Sequence, residues 1–131
     1  MTTFVDTSAL LALLDGGDDN HAAAIATWQS LAVQSPRLVT TNYVLVETMA
    51  VAQRRLGVEA VRALFGDVVP LLDVVFVDET THAAAVAALL ATGRRHLSLV
   101  DCTSFEVMRR ANVATAFAYD RHFGDQGFGA A

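Results

Sequence analysis

The chain opens on an apolar pair, Phe4-Val5, then one acid, Asp6, then an apolar run from Ala9 to Leu14. The pair predicts the end of a short strand near Thr3 to Val5. Thr7 to Leu14, apolar on nearly every side, predicts a helix buried all round. From Asn20 the spacing Ile25, Trp28, Leu31, Ala32 marks the inner face of an amphipathic helix. Leu38-Val39-Thr40 predicts a second strand, and the polar residues after it can cap a helix reaching about Leu56, where Gly57 supplies the stop. Val58 to Phe65 predicts a further helix, whereas Val68 to Leu72 stays open because Pro70 disfavours both a helix interior and a central strand. A β-branched apolar run lies within Asp73 to Val77, and an Ala-rich helix over Glu79 to Thr92 ends at Gly93. Ser98-Leu99-Val100-Asp101 resembles a capping box, with Asp in place of Glu or Gln, for a helix reaching Arg110. Ala114 to Tyr119 then predicts a last buried strand. Strands alternating with helices define an α/β class with a parallel sheet covered on both faces.

The breaks in this pattern are short: Asp15-Gly16-Gly17, Ser35-Pro36, Gly57, Gly66, Gly93 and a Gly-rich tail. With 131 residues and neither repeat nor linker, one domain over residues 1–131 is expected, large enough to bury about two thirds of its unfolded surface. Hydrophobic residues make up 53 % of the chain, yet no uncharged apolar run approaches the ~18 residues of a membrane span. Part of that apolar surface is expected in a subunit or partner interface. Cys102 is the single cysteine and cannot form an intrachain disulfide. The start lacks the basic and apolar regions of a signal peptide, so a cytoplasmic protein is expected.

Charge narrows the function. The nine basic residues are all Arg, and fourteen acids leave a net charge of −5, which argues against attachment to nucleic acid by a bulk positive field. Four acids engaged by a divalent cation would leave the rest of the molecule close to neutral and able to tolerate a polyanion.

Four acids fall where a parallel sheet presents its strand ends, the usual ligand-binding edge of such folds. Asp6 follows the first strand and Asp120 the last, Asp101 lies in the first turn of the preceding helix, and Glu47 sits among Val44, Leu45, Val46 and Met49. Each has an ordinary employment as cap, turn former or polar-face residue. Glu47 strains that reading, since its neighbours three and four residues away are Tyr43, Val44, Ala50 and Val51. One cluster would account for all four. Uncompensated, such a cluster resists ionisation, and hard divalent cations such as Mg²⁺ or Mn²⁺, which prefer oxygen ligands, remove the penalty. Paired ions of this kind promote phosphodiester cleavage.

The segments "FVDTSALLALL", "TTNYVLVETMAV", "LSLVDCTSFEVMRR" and "AFAYDRHFGDQGF" resemble the successive motifs of PIN-domain ribonucleases, in particular the VapC toxins of bacterial toxin–antitoxin pairs. The resemblance runs over nearly the whole chain. It implies a PIN-like three-layer α/β/α fold with a short central parallel sheet, and Asp6, Glu47, Asp101 and Asp120 as the acidic set around Mg²⁺, with Mn²⁺ able to substitute. It further implies Ser8 as a hydroxyl orienting Asp6 or a water, homodimerisation, and inhibition by a VapB antitoxin whose C-terminal arm covers the active groove. The expected activity is an endoribonuclease acting on structured RNA such as tRNA or rRNA loops, leaving 5′-phosphate and 3′-hydroxyl ends. Asp125 is an auxiliary acid or, more simply, part of a loop turn.

The remaining candidates are weaker. Arg54-Arg55, Arg94-Arg95 and Arg109-Arg110 fall at or just after helix C-termini, where cations complement the dipole, with RNA phosphate binding as the second reading, and Arg121 can meet a phosphate or pair with a carboxylate. The histidines show no close ligand spacing, which argues against zinc, and only His122, two residues from Asp120, merits mutation. Cys102 reads as a small buried thiol. Two other functions compete. An aspartyl-phosphate enzyme with Asp6 as nucleophile is disfavoured by Ser8 where phosphatases of that kind place a second Asp, and by the absence of lysine. A non-catalytic RNA- or partner-binding module would leave four acids without a purpose.

Overall fold

The computed structural model describes residues 1–34 and 36–131; Ser35, half of the predicted Ser35-Pro36 break, lies outside the described residues. Five strands, β1 (Thr2–Val5), β2 (Arg37–Thr41), β3 (Asp73–Val75), β4 (Thr115–Phe117) and β5 (Gly129–Ala130), form one sheet in the order β3-β2-β1-β4-β5. Every neighbouring pair is parallel, with Phe4 opposite Val39 on one side and Ala116 on the other. The helices are α1 (Thr7–Leu14), α2 (His21–Gln34), α3 (Asn42–Leu56), α4 (Val58–Ala63), α5 (Glu79–Thr92), α6 (Leu99–Arg110) and α7 (His122–Asp125). The result is the expected three-layer α/β/α arrangement around a short central parallel sheet.

The chain builds from β1 outward through β2 to β3, then crosses back to place β4 on the other side of β1. The order therefore reverses between β1 and β4, and the crevice at their carboxyl ends is the point where such sheets bind ligands. β1 lies at the centre with Thr3, Phe4 and Val5 fully buried. Its ring Phe4 meets Phe123, which also packs edge-on against Phe105 at 5.0 Å. α1 is buried at Thr7, Ala9, Leu10 and Ala12 but only half-buried at Leu11, Leu13 and Leu14, so it is less enclosed than its all-round apolar pattern predicts.

Three further expectations need adjustment. In α2 the predicted Ile25, Trp28 and Leu31 face inward, Leu31 buried and the other two half-buried, whereas Ala32 is exposed and Ala24 is buried in addition. The open segment around Pro70 is a wide helical turn, Leu64–Val68, followed by a 3₁₀ turn, Val69–Leu71. There Pro70 sits in a first turn, where its missing N–H costs no internal hydrogen bond. The last two elements, α7 and β5, carry no apolar periodicity; β5 exists because Thr115 and Ala116 pair with Gly129 and Ala130.

Strand ends are set by side chains that divert the backbone. The run from Asp73 stops at Val75 because Val77 N–H donates to the Asn42 side chain at 2.8 Å. β4 stops at Phe117, and the N–H of Tyr119 donates to Ser8 Oγ at 2.8 Å. The predicted Gly57 stop is real: its φ of +87° is readily adopted only by glycine. Among the described residues no helix is long and apolar enough to cross a membrane.

Candidate active site

Asp6 is the first residue beyond β1, and its backbone N–H still bonds across to Phe117 of β4 at 3.0 Å. Its side chain caps α1, accepting the Ser8 N–H at 3.1 Å and the Ser8 hydroxyl at 2.7 Å, both on Oδ2. Because Ser8 Oγ also accepts the Tyr119 N–H, one hydroxyl fastens the end of β1 to the chain leaving β4. The cap and the ligand reading are therefore compatible: the Ser8 donors pin one carboxylate oxygen, Oδ2, and the Thr7 N–H adds to the hold on the carboxyl.

Asp101 repeats the arrangement. Ser98 and Asp101 form the predicted capping box, with Ser98 N–H donating to Asp101 Oδ2 at 3.1 Å and Asp101 N–H donating to Ser98 Oγ at 3.0 Å. Asp120, just past β4, accepts the His122 N–H on Oδ1 at 2.9 Å. Three aspartates are thus each held through one oxygen by a backbone N–H two or three residues away.

Burial lifts the Asp6 carboxyl from its ordinary 3.8 to about 6, against the lowering effect of the Ser8 hydrogen bonds, and Asp101 adds to the rise. Asp101 is raised as well, first by burial, then by repulsion from Asp120 and Glu47. Asp101 is therefore the hub through which all four acids interact. Carboxylate oxygens of Asp101 and Asp120 and a ring nitrogen of His122 all lie within 4.8 Å of one another. Glu47 is half-buried on α3 and lines a cleft of about 320 Å³ with Asn42, Tyr43, Val46 and Val100. Carboxyls raised by burial and by one another, in an oxygen-rich donor set, fit a hard divalent cation.

The other candidates separate cleanly. Arg121 is exposed beside Asp120, and Asp125 is exposed at the end of α7, outside the cluster. Arg109 and Arg110 serve the last turn of α6, Arg109 bonding Gln126 and stacking over Phe105 and Phe128, Arg110 pairing with Glu106 at 2.8 Å. Arg54 and Arg55 occupy the last turn of α3, and Arg94 and Arg95 follow the left-handed cap Gly93. Cys102 is buried, and burial beside Asp101 pushes its thiol up, which suits an inert side chain. His122 matters more than its spacing in the sequence suggests: it is buried against Asp120, and the only signal was its place two residues on, a spacing that metal-binding helix patterns do not use.

A short parallel sheet whose central and neighbouring strands deliver acids to one crevice defines the PIN domain. The PIN-domain family model matches residues 3–129, and the chain belongs to that family. Over 128 residues, 95 % of this chain and 94 % of its relative, it is 38 % identical to the 23S rRNA-specific endonuclease VapC20 of Mycobacterium tuberculosis, in both strain CDC 1551 / Oshkosh and strain ATCC 25618 / H37Rv. The crystal structure of VapC20, described as a sarcin-ricin loop cleaving toxin, superposes with a TM-score of 0.86 at 34 % identity, covering 98 % of this chain and 96 % of that one. FitAcB from Neisseria gonorrhoeae shares the fold, with a TM-score of 0.70 at 14 % identity over 99 % and 96 % of the two chains. The expected kinship with VapC toxins is borne out.

Proposed function

We propose that residues 1–131 form a single PIN domain acting as a divalent-cation-dependent endoribonuclease toxin, with a structured loop of 23S rRNA as its substrate. What supports this reading is the close approach of Asp101 and Asp120 beyond the sheet, with Asp6 near enough to feel Asp101 and Asp101 near enough to feel Glu47. The choice of rRNA over tRNA is supported by identity to a 23S rRNA-specific endonuclease across 95 % of the chain.

In this reading the four acids hold Mg²⁺ or Mn²⁺, which when bound supplies Lewis-acid chemistry for hydrolysis of a phosphodiester. The residues of the chain do the positioning. Ser8 holds the Asp6 carboxylate through Oδ2, Ser98 holds Asp101 through Oδ2, and the His122 N–H holds Asp120 through Oδ1. Such preorganisation spares the site from reordering its ligands when RNA arrives. Glu47, on α3, lines a cleft with Asn42, Tyr43, Val46 and Val100, which in this reading receives RNA. Arg121, exposed next to Asp120, meets a backbone phosphate. A VapB-type antitoxin blocks the groove, and two copies of the chain pair as a homodimer in the cytoplasm.

The test is to incubate the protein with ribosomes and with tRNA in Mg²⁺ or Mn²⁺ and map the new ends, with Asp6→Asn alongside. New 5′-phosphate ends within one 23S rRNA loop, lost in Asp6→Asn and in EDTA, are expected. A 2′,3′-cyclic phosphate product, or full activity in EDTA, would overturn the cation chemistry; cleavage confined to tRNA would overturn the substrate.

A further inference from the structure

Four buried side-chain atoms lack a hydrogen-bond partner among the described residues, Thr3 Oγ1, Thr7 Oγ1, Ser104 Oγ and His122 Nδ1, and of these His122 Nδ1 has a carboxylate oxygen beside it. His122 Nδ1 is enclosed and makes no hydrogen bond, although Asp120 Oδ1 lies only 2.7 Å away. The His122 side chain is 9 % exposed, so solvent does not stand in for the missing partner. Buried ring nitrogens nearly always find one. The ring N–H is not directed at Asp120 Oδ1, and that oxygen already accepts the backbone N–H of the same histidine at 2.9 Å. A ring nitrogen and a carboxylate oxygen this close, with no proton between them, repel each other. A cation shared by the two atoms turns that repulsion into chelation.

The spacing agrees. Ligand atoms about 2.1 Å from one cation stand about 3 Å apart when adjacent and about 4.2 Å apart when opposite. The Asp120–His122 contact of 2.7 Å is near the first separation, and ligand atoms of Asp101, Asp120 and His122 all lie within 4.8 Å of one another, close enough to reach one ion. The other histidines are elsewhere: His21 bonds the Ala12 carbonyl, His82 bonds Tyr43, and His96 is exposed.

We infer that His122 is a nitrogen ligand of the cation held by the acidic cluster, making the site a mixed imidazole–carboxylate centre that favours Mn²⁺ or Co²⁺ over Mg²⁺. The inference rests on the proposed cation dependence. Imidazole adds affinity for transition-metal dications, whereas carboxylates alone suit Mg²⁺. The backbone N–H of residue 122, which pins Asp120, survives any change of side chain, so substitution isolates the ring.

Pulsed electron paramagnetic resonance of the Mn²⁺-loaded full chain tests it, in unlabelled protein and in protein carrying ¹⁵N-histidine. A directly coordinated ¹⁴N coupling is expected, replaced by ¹⁵N on labelling and absent in His122→Gln. Loss of even an outer partner of a metal ligand typically weakens binding about 10–100-fold, so His122→Gln should raise the Mn²⁺ dissociation constant at least about tenfold and change Mg²⁺ affinity much less. Bound Mn²⁺ without histidine coupling overturns the nitrogen ligand and leaves the proposed nuclease standing. Failure of folded wild-type protein to bind Mn²⁺ overturns both. Should His122→Gln not fold, the labelled wild-type spectra alone decide whether the ring coordinates the ion.

Discussion

Asp6→Asn should stabilise the metal-free protein while abolishing its activity. Asp6 is 3 % exposed, and its rise from 3.8 to about 6 amounts to about 3 kcal/mol of penalty on the ionised form. Below pH 3.8 the group is protonated in both the folded and the unfolded chain and contributes nothing. Between 3.8 and about 6 the unfolded chain ionises while the folded one still holds its proton, so wild type loses stability as pH rises. Above that window the loss is constant. Asparagine mimics the protonated carboxyl and keeps an oxygen for both Ser8 donors, but its amide group needs a partner of its own. A net gain of about 1 to 3 kcal/mol at about pH 7.5 is therefore expected, up to about 10 °C in Tm for a domain of this size. The assay is urea denaturation of both proteins in EDTA from about pH 3.5 to 8, across the titration of the carboxyl. Asp101, raised in the same direction, titrates in both, so the difference between the two curves reports mainly on Asp6. That difference should be near zero at the acid end, widen through the window and then level. Millimolar Mn²⁺ should stabilise wild type more than the variant by mass action. A difference that is flat with pH, or a variant less stable than wild type above the window without metal, would refute the electrostatic account of the crevice.

Ser8→Ala removes the Asp6 clasp and strands the Tyr119 N–H, at a cost of about 1–3 kcal/mol in chemical denaturation together with a marked loss of RNA cleavage. Phe123→Ala empties the space between Phe4, Phe105 and Phe128 and should cost about 3–5 kcal/mol, read by the same titration. Arg121→Ala, at an exposed position, should leave stability within about 0.5 kcal/mol but weaken RNA binding and flatten its salt dependence, measured by fluorescence anisotropy. Asp125→Asn should cleave rRNA at the wild-type rate, since the exposed carboxylate stands apart from the other acids.

Much of the α/β frame was legible because burial and periodicity coincide in β1, α3, α5 and α6, and because Ser98, Gly57 and Gly93 mark helix ends chemically. Asp6 and Asp120 were legible as strand-end acids, and Glu47 as a misfit on an apolar helix. What escaped was decided by tertiary contact. The trim of β4 depends on Ser8, 111 residues from Tyr119, and β5 depends on an edge supplied by β4. The burial of Ala24 and the exposure of Ala32 reflect how α2 settles on its neighbours. His122 was visible only as a neighbour of Asp120, because its burial is created by the short helix α7, which has too few residues to carry a pattern.

The clasp between Ser8 and Tyr119 also bears on synthesis. Asp6 and Glu47 emerge early, yet the β4 partner of β1 and the residues that complete the crevice lie in the last third of the chain. A partly made chain lacks Asp101, Asp120 and the anchoring N–H, so the acidic cluster cannot assemble while much of the polypeptide is still being translated. If the proposed rRNA substrate holds, this order of assembly delays danger to the ribosome that makes the chain.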